Sequence, residues 1–335
     1  MSLILILLVS SAFSTRPIVV ERAFFVMGTV LEFKVYCEGS KESCNNAVFD
    51  AYLEVKRLDD MFSNYKADSK LSEVNSLAGN GKIPIPPEFF ELTERALFFS
   101  NLTGGAFDIT VGGLIKLWRE SQEKNTLPDT ERIRRMVSRC VDFGKIKLYS
   151  DGNKNEIDIE SPCISIDFGG IGKGYAIDRA VRILKKKGIK RGMINFGGEI
   201  YGIGSPPGEK GWIVGVRHPS KKNEVLTLIQ VRDMAVSTSG DYERYFTIEG
   251  RRFSHIIDPR TGFPVDSVPS VTVLAESATD ADALSTAISV MGKSEGIRVI
   301  KSFDRAGVMV VTSERNNLSI YKDDFFKSFE VPNPK

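Results

Sequence analysis

The sequence predicts an α+β fold with mixed, largely antiparallel sheets flanked by helices. Short apolar strand patterns follow one another through much of the chain, joined by Gly-rich, hairpin-like links, where an α/β protein would alternate strands with helices. Helical periodicity is confined to a few longer segments. The composition, 42% hydrophobic and 26% charged over 335 residues, is that of an ordinary soluble globular protein. No repeat, low-complexity tract or linker divides the chain, so residues 18–335 read as one domain, or as two intimately packed subdomains.

Taken in order, Ile18 to Tyr36 is rich in Val and Phe around Gly28-Thr29 and predicts two strands joined by a tight turn or bend. Ala47, Ala51, Val55, Leu58 and Phe62 recur at helical spacing and predict an amphipathic helix. Ser63 to Lys70 is polar and reads as a loop. A second helix is predicted from Pro87 to Leu102, stopped by Gly104-Gly105. The charged segment Leu117 to Gly144, with a helix start at Pro128-Asp129-Thr130, reads as a peripheral helical excursion. Strands are predicted at Lys145 to Tyr149, Glu156 to Glu160 and Cys163 to Asp167, then a helix from Lys173 to Lys187. The run Lys185-Lys186-Lys187 precedes Gly188, where cations oppose the negative end of a helix dipole. Further strands are predicted at Gly192 to Ile203, Trp212 to Arg217, Val225 to Val231, Met234 to Thr238 and Ser270 to Ala275. Helices from Thr279 to Met291 and near Glu295 to Ser302, then two or three closing strands, complete the chain.

Residues 1–17 resemble a secretory signal: the apolar run Leu3 to Val9 is followed by Ser10, Ser11, Ala12 and Ser14. The run is too short for a permanent bilayer span, and no Lys or Arg precedes it. The expectation is an exported chain, periplasmic or membrane-associated, whose mature form begins near Thr15 to Ile18; the alternative is a buried or frayed N-terminal segment. Lys+Arg of 45 against Asp+Glu of 43 gives no electrostatic footprint for nucleic acid. Cys37, Cys44, Cys140 and Cys163 form no Cys-x-x-Cys pair and only two histidines exist, which argues against a zinc site of the usual kind. Cys37 and Cys44 could pair across the start of a helix, but packed thiols are the expectation for all four.

Three clusters could carry chemistry. In ISIDFGGIGKGYAIDRA, an apolar strand pattern ends at Asp167 and passes through Gly169, Gly170, Gly172 and Gly174 into a helix. Such a loop suits phosphate, because glycines allow close backbone approach and a helix start offers N–H groups; it equally suits a tight strand–helix turn. It matches neither the Walker nor the Rossmann pattern. In RFSHIIDPRTGFPVDS, His255 stands before the turn Asp258-Pro259-Arg260-Thr261-Gly262, a setting as suited to catalysis as to structure. His218 reads as structural. In SATDADALSTAISVMG, Asp282 and Thr286 are four apart, so a carboxylate and a hydroxyl can converge on one hard cation; an Asp near a helix start, with Thr279 or Asp280 as cap, is the plainer explanation. No G-x-S-x-G elbow supports a Ser–His–Asp triad built from Ser237 or Ser239.

Together, and in this order, these clusters resemble the ApbE family of FAD:protein FMN transferases. The matching stretches are FVMGTVLEF, FSNYKADSKLSEVN, TGGAFDITVG, IDFGGIGKGYAID, NFGGEIYGIG, AVSTSGDYERYF, SHIIDPRTG and DADALSTAISVMG, from about residue 24 to residue 292. The resemblance implies FAD contacts at Met27, Tyr65, Ala106, Phe107, Asp108, Asp167, Lys173 and Ile256. It implies a magnesium site from the side chains of Asp282 and Thr286 with main-chain oxygens of Gly170 and Ser285, and His255 as the base near the reacting phosphate. It further implies FAD as substrate, Mg²⁺ as cofactor, and transfer of FMN to a Thr or Ser hydroxyl of an acceptor protein with release of AMP. Acceptors in such a family are typically electron-transfer subunits. An FAD pyrophosphatase, or a flavin-binding protein without turnover, are the alternatives; Tyr65 resembles the transferase type. Lipid-anchored members carry a Cys just after the signal, whereas the first Cys here is Cys37, within a predicted strand, which argues against a lipid anchor. Glu199 follows Gly197-Gly198 where Asp or Asn is also common, and the resemblance gives it no role.

Overall fold

The first strand pattern folds as a hairpin, β1 (Ile18–Val26) paired antiparallel with β2 (Thr29–Cys37). The computed structural model describes residues 17–221, 224–240, 245–265, 268–314 and 317–332; the expected signal segment, Pro17 excepted, lies outside the described residues. The turn of the hairpin is Met27-Gly28, both with positive φ (48° and 71°), the two-residue geometry that matches strand twist. Gly tolerates that conformation freely, but Met rarely adopts it.

The amphipathic stripe becomes α1 (Lys41–Phe62), capped by Ser40, whose hydroxyl accepts from the Ser43 N–H, and burying Ala47, Val48, Ala51, Val55, Leu58 and Phe62. Its first turn carries Cys44, bonded to Cys37 at the end of β2; Cys140 is likewise bonded to Cys163. The expectation of four packed thiols is therefore corrected. Folding brings the paired Cα atoms to 6.0 and 5.2 Å, within disulfide reach, which linear spacing does not reveal.

The polar loop after α1 ends in a short helix the sequence did not announce, α2 (Lys70–Ser76), capped by Ser69. Then come β3 (Ile83–Ile85), α3 (Pro87–Leu102) with the predicted bounds, α4 (Gly112–Glu123) and α5 (Thr130–Cys140), the last capped by Asp129 as the sequence indicates. β4 (Ile146–Ser150) and β5 (Asn155–Ile159) join β3 in a small sheet of order β3-β5-β4. Residues 163–167 form no strand. Ile164, Ile166 and Phe168 are buried and so give a strand-like alternation. Their backbone bonds, however, go to the Asn75 side chain, to Ile109 and to one bridge between Val111 and Ser165.

After α6 (Gly172–Lys186), the single strand predicted over 192–203 is a hairpin, β6 (Arg191–Phe196) and β7 (Glu199–Ile203), turning at Gly197-Gly198 with φ of 60° and 95°. β8 (Trp212–Arg217), β9 (Val225–Val231) and β10 (Met234–Gly240) follow. The hairpin β11 (Tyr245–Ile248) and β12 (Arg251–Ser254) precedes β13 (Ser270–Ala275). The two late helices fall within α7 (Ala278–Ile300), which is broken between them at Gly292, whose φ of 77° and ψ of 176° are not helical; its cap is Ser277 rather than Thr279 or Asp280. β14 (Ala306–Glu314), β15 (Asn317–Lys322), α8 (Asp324–Lys327) and β16 (Glu330–Val331) close the described chain.

The main sheet has eight strands in the order β1-β2-β6-β7-β10-β13-β14-β15, every neighbour antiparallel. One face carries the principal core, with Phe33, Ile194 and Val273 of the sheet against Val55 of α1, Ile177 of α6 and Leu284 of α7. The other face is partly covered by the sheet β16-β9-β8 through Trp212, Val214 and Val231, together with Phe326 of α8. A third cluster, with Leu114, Trp118, Ile133 and Ile257, seats α4 and α5 against the segment around β11 and β12. No helix among the described residues is long and apolar enough to cross a membrane.

Candidate functional site

The glycine loop enters α6 where that helix meets α7. An added Cβ at Gly174 would lie 2.2 Å from the Ala278 carbonyl oxygen, so only glycine permits this approach of the two helix starts. The Gly174 N–H donates to Asp282 Oδ2 at 3.0 Å, and Asp282 is 3% exposed. One turn further along α7, Thr286 Oγ1 lies 3.5 Å from the Gly170 carbonyl oxygen. An added Cβ at Gly170 would meet Thr286 Oγ1 at 3.2 Å and the Phe107 ring at 3.3 Å. Asp282 and Thr286, one turn apart on α7, thus lie beside the glycine loop at Gly174 and Gly170, with the Phe107 ring close to Gly170.

Ser285 is tied in differently. Its hydroxyl lies 2.8 Å from Ser239 Oγ and 3.2 Å from Ser237 Oγ, joining α7 to β10. Its carbonyl lies inside α7, where it takes the helical N–H one turn on and also accepts from the Ser289 hydroxyl at 2.8 Å, so both lone pairs of that oxygen are engaged. Ser237 and Ser239 are therefore bonded within the helix–sheet contact, which removes the ground for a serine triad. Among the described residues no three His, Cys, Asp or Glu side chains gather as a metal cluster. The predicted donor set needs none: one carboxylate with carbonyl and hydroxyl oxygens is the chemistry a hard cation prefers, and the oxygens of Asp282, Thr286 and Gly170 fit it.

The start of α7 is fixed by Asp178, whose carboxylate accepts from the N–H groups of Ala278 and Thr279 and from the hydroxyls of Ser277 and Thr279, at 2.6 to 2.9 Å. Burial nevertheless pushes the Asp178 carboxyl above the ordinary Asp range, outweighing those bonds.

Asp167 lies on the loop's other side. It accepts from Asn64 Nδ2 and from the Gly169 N–H, each at 2.6 Å, and burial holds its carboxyl above the ordinary range despite these bonds and the Arg119 charge. Asn64 adjoins Tyr65, an 81% exposed ring over which Arg119 sits at 5.1 Å. Ala106, Phe107 and Asp108 are buried, and Asp108 accepts from the Thr110 N–H and hydroxyl; burial again raises its carboxyl. Ile109 accepts from the Asp167 N–H at 2.8 Å, so this stretch and the glycine loop are neighbours. Lys173, on the first turn of α6, pairs with the buried Glu199. Gly197, two residues earlier, packs against Thr29 beside Met27.

His255 follows β12 directly and is exposed between buried Ser254 and Ile256. Its turn is anchored on α4: the Trp118 indole N–H donates to the Gly262 carbonyl at 2.8 Å, and the Asp258 carboxylate accepts from the Arg260 N–H at 2.9 Å. His218 Nδ1 accepts from the N–H groups of Ser220 and Lys221, a turn-stabilising role that agrees with its structural reading. A cavity of about 810 Å³ adjoins the Asp178 contact with the start of α7 and is lined also by Glu91, Arg95, Tyr175, Arg179 and Asp280. Arg95 is paired with Asp280 and Arg179 with Glu54, so it presents little uncompensated charge to a nucleotide.

The profile of the ApbE family matches residues 27–311, spanning every element of this site. The chain belongs to the ApbE family. A FAD:protein FMN transferase of Treponema pallidum is 31% identical over 308 residues, covering 88% of this chain and 85% of that protein. One of Vibrio cholerae is 33% identical over 279 residues, 82% of each. Among solved structures, an ApbE protein of Thermotoga maritima superposes with a TM-score of 0.83 at 33% identity, covering 94% of this chain and all of that one. The flavin transferase ApbE of Vibrio cholerae gives 0.80 at 27%, with the same coverage.

In this ApbE chain, sequence reasoning missed Asn64, Asn75, Arg119, Asp178 and Glu199. Asn64 and Asn75 stand inside a matched stretch, but nothing in their spacing tells that they bond Asp167 and Ile166, about a hundred residues away.

Proposed function

We propose that the chain is an enzyme that transfers FMN from FAD to a Thr or Ser hydroxyl of an acceptor protein, with magnesium, releasing AMP. Its relatives carry the name FAD:protein FMN transferase. The observation that carries the reading is the meeting of Asp282, Thr286 and the Gly170 carbonyl at the glycine-lined start of α6. A helix start with close backbone suits the pyrophosphate of FAD. Magnesium held by Asp282, Thr286 and the Gly170 oxygen would neutralise pyrophosphate charge and favour departure of AMP.

The chain's own groups supply the rest. Met27, Tyr65, the stretch Ala106 to Asp108, Asp167, Lys173 and Ile256 hold the nucleotide. His255 is exposed, so a hydroxyl borne on another protein can reach it. It takes the hydroxyl proton as that oxygen attacks the FMN-side phosphorus. The new P–O bond joins FMN to the acceptor as a phosphoester, and the bond to the AMP phosphate breaks.

Export belongs to the same proposal. Two disulfides among the described residues suit an oxidising compartment, and with the apolar N-terminal run they support a periplasmic or membrane-associated protein whose acceptor is an electron-transfer subunit.

The test is purified protein with FAD, Mg²⁺ and an acceptor domain bearing a flavinylation threonine, read as flavin fluorescence in a denaturing gel with AMP quantified. A labelled band abolished by EDTA is expected. His255→Ala is expected to lower transfer by about a hundred- to ten-thousandfold while FAD stays bound. AMP and free FMN with no labelled band, for two different acceptors, would reject the transferase in favour of a pyrophosphatase.

A further inference from the structure

Glu199 stands where burial and charge conflict. It opens β7 just after the Gly197-Gly198 turn, is 4% exposed, and lies on the sheet face that carries Tyr201 and Ile203 into the principal core. One carboxylate oxygen meets the Lys173 ammonium. The other, Oε2, is buried without a hydrogen-bond partner. A purely structural ion pair retains its stability only when its remaining lone pairs are satisfied, and an orphaned buried acceptor is costly. The hairpin itself does not demand the orphan. The Gly198 N–H is taken by the Asn195 side chain and the Gly197 N–H by the Val30 carbonyl.

The pair's position suggests what satisfies it. Lys173 is on the first turn of α6, three residues past Gly170 and next to Gly174, the glycine whose N–H meets Asp282. Glu199 is thus a carboxylate beside the ammonium that follows the glycine loop. An ammonium has three donors and can serve Glu199 and a phosphate together. A carboxylate cannot face a phosphate directly, since like charges repel. Its open oxygen requires a neutral O–H or N–H.

We propose that Glu199 is a binding residue for the flavin nucleotide: it holds Lys173 toward the phosphates, and its unpaired oxygen accepts from a hydroxyl of the sugar or ribityl chain beside them. The inference rests on the reading of this site as an FAD site. Paired in this way, Lys173 recognises a phosphate flanked by a hydroxyl rather than any anion. Glu199 therefore contributes to affinity for FAD but disfavours bare pyrophosphate.

The experiment measures dissociation constants for FAD and for inorganic pyrophosphate, with Mg²⁺, on the whole mature protein and on its E199Q and E199A variants, at a temperature where all three are folded. Both variants are expected to bind FAD about tenfold or more weakly, as loss of a hydrogen bond to a charged group implies, while pyrophosphate binding does not weaken. E199Q keeps the shape of the side chain and serves if E199A does not fold. FAD affinity within twofold of the parent in E199Q, or parallel weakening of both ligands, overturns the proposal, because a structural pair would act that way. If the folded parent itself fails to bind FAD, the FAD reading of the site falls and this proposal falls with it.

Discussion

At the scale of single residues, the site is a set of groups whose chemistry is set by what surrounds them. Thr286 is the clearest case, since its hydroxyl lies 3.5 Å from the Gly170 carbonyl oxygen while its methyl packs against Gly170. Thr286→Val keeps the shape and removes the oxygen. The Mg²⁺ concentration for half-maximal transfer is expected to rise roughly tenfold or more, with FAD binding little changed; an unchanged magnesium titration would remove Thr286 from the donor set. Asp167 allows a test by pH. Burial raises its carboxyl above the ordinary value of 3.8, so the folded protein holds that proton more tightly than the unfolded chain. Its contribution to stability is full below 3.8 and is lost as pH rises from there through the folded value. Asp167→Asn does not ionise. In thermal melts of the FAD-free protein, the variant's melting temperature is expected to gain on the parent's as pH rises from about 4 to 7. A difference independent of pH would contradict this assignment. The residue scale is also where sequence reading was most uneven. The shared helix face of Asp282 and Thr286 was legible because a four-residue spacing is local, whereas the approach of Gly170 to Thr286 joins residues 116 apart. Asn64 and Glu199 were not legible, because each acts through a partner far away in the chain.

At the scale of elements, the decisive contact is between the starts of α6 and α7. Gly174 allows it and Asp178 locks it by capping α7 from within α6. Gly174→Ala would drive a methyl group into the Ala278 carbonyl and the Asp282 Cβ. The expected cost is about 1–3 kcal/mol or more in denaturant unfolding, with weaker FAD binding, because Asp282 is displaced from the glycine loop. An alanine variant of parental stability and affinity would show that the helices can part without consequence. Most elements were legible. Helix α3 and strands β8, β9 and β13 have the bounds their patterns predict, since amphipathic periodicity and turn residues are written locally. The clearest misreading has a tertiary cause. Residues 163–167 alternate like a strand but spend their backbone bonds on Asn75 and Ile109. The break at Gly292 was legible too, since its non-helical φ of 77° and ψ of 176° stand where the two late helical patterns part.

At the scale of the whole molecule, the eight-stranded sheet holds the hairpin turn at Met27, the α6 and α7 starts and β10 as one frame, while α4 and α5 carry the His255 turn. The disulfides brace this arrangement at two places. By chain-entropy reasoning, removing Cys140–Cys163, with a separation of 23, is expected to cost about 3.4 kcal/mol, and removing Cys37–Cys44, with a separation of 7, about 2.4 kcal/mol. Paired Cys→Ser variants followed by chemical denaturation check this; full stability in both would mean that the bonds add nothing to the folded chain.

The sequence by itself determined the fold class, the bounds of its most periodic elements, and the three glycine-, histidine- and aspartate-bearing clusters that mark the family. Those features are local: periodicity, turn chemistry and motif spacing lie within a few residues of one another. Only the tertiary structure decided that the cysteines pair, that Asn64 and Asn75 secure the glycine loop, that Asp178 caps α7, and that Glu199 meets Lys173. Each of these joins groups remote in sequence or orientation, and their hydrogen bonds and burial exist only once the sheet and helices have closed around them.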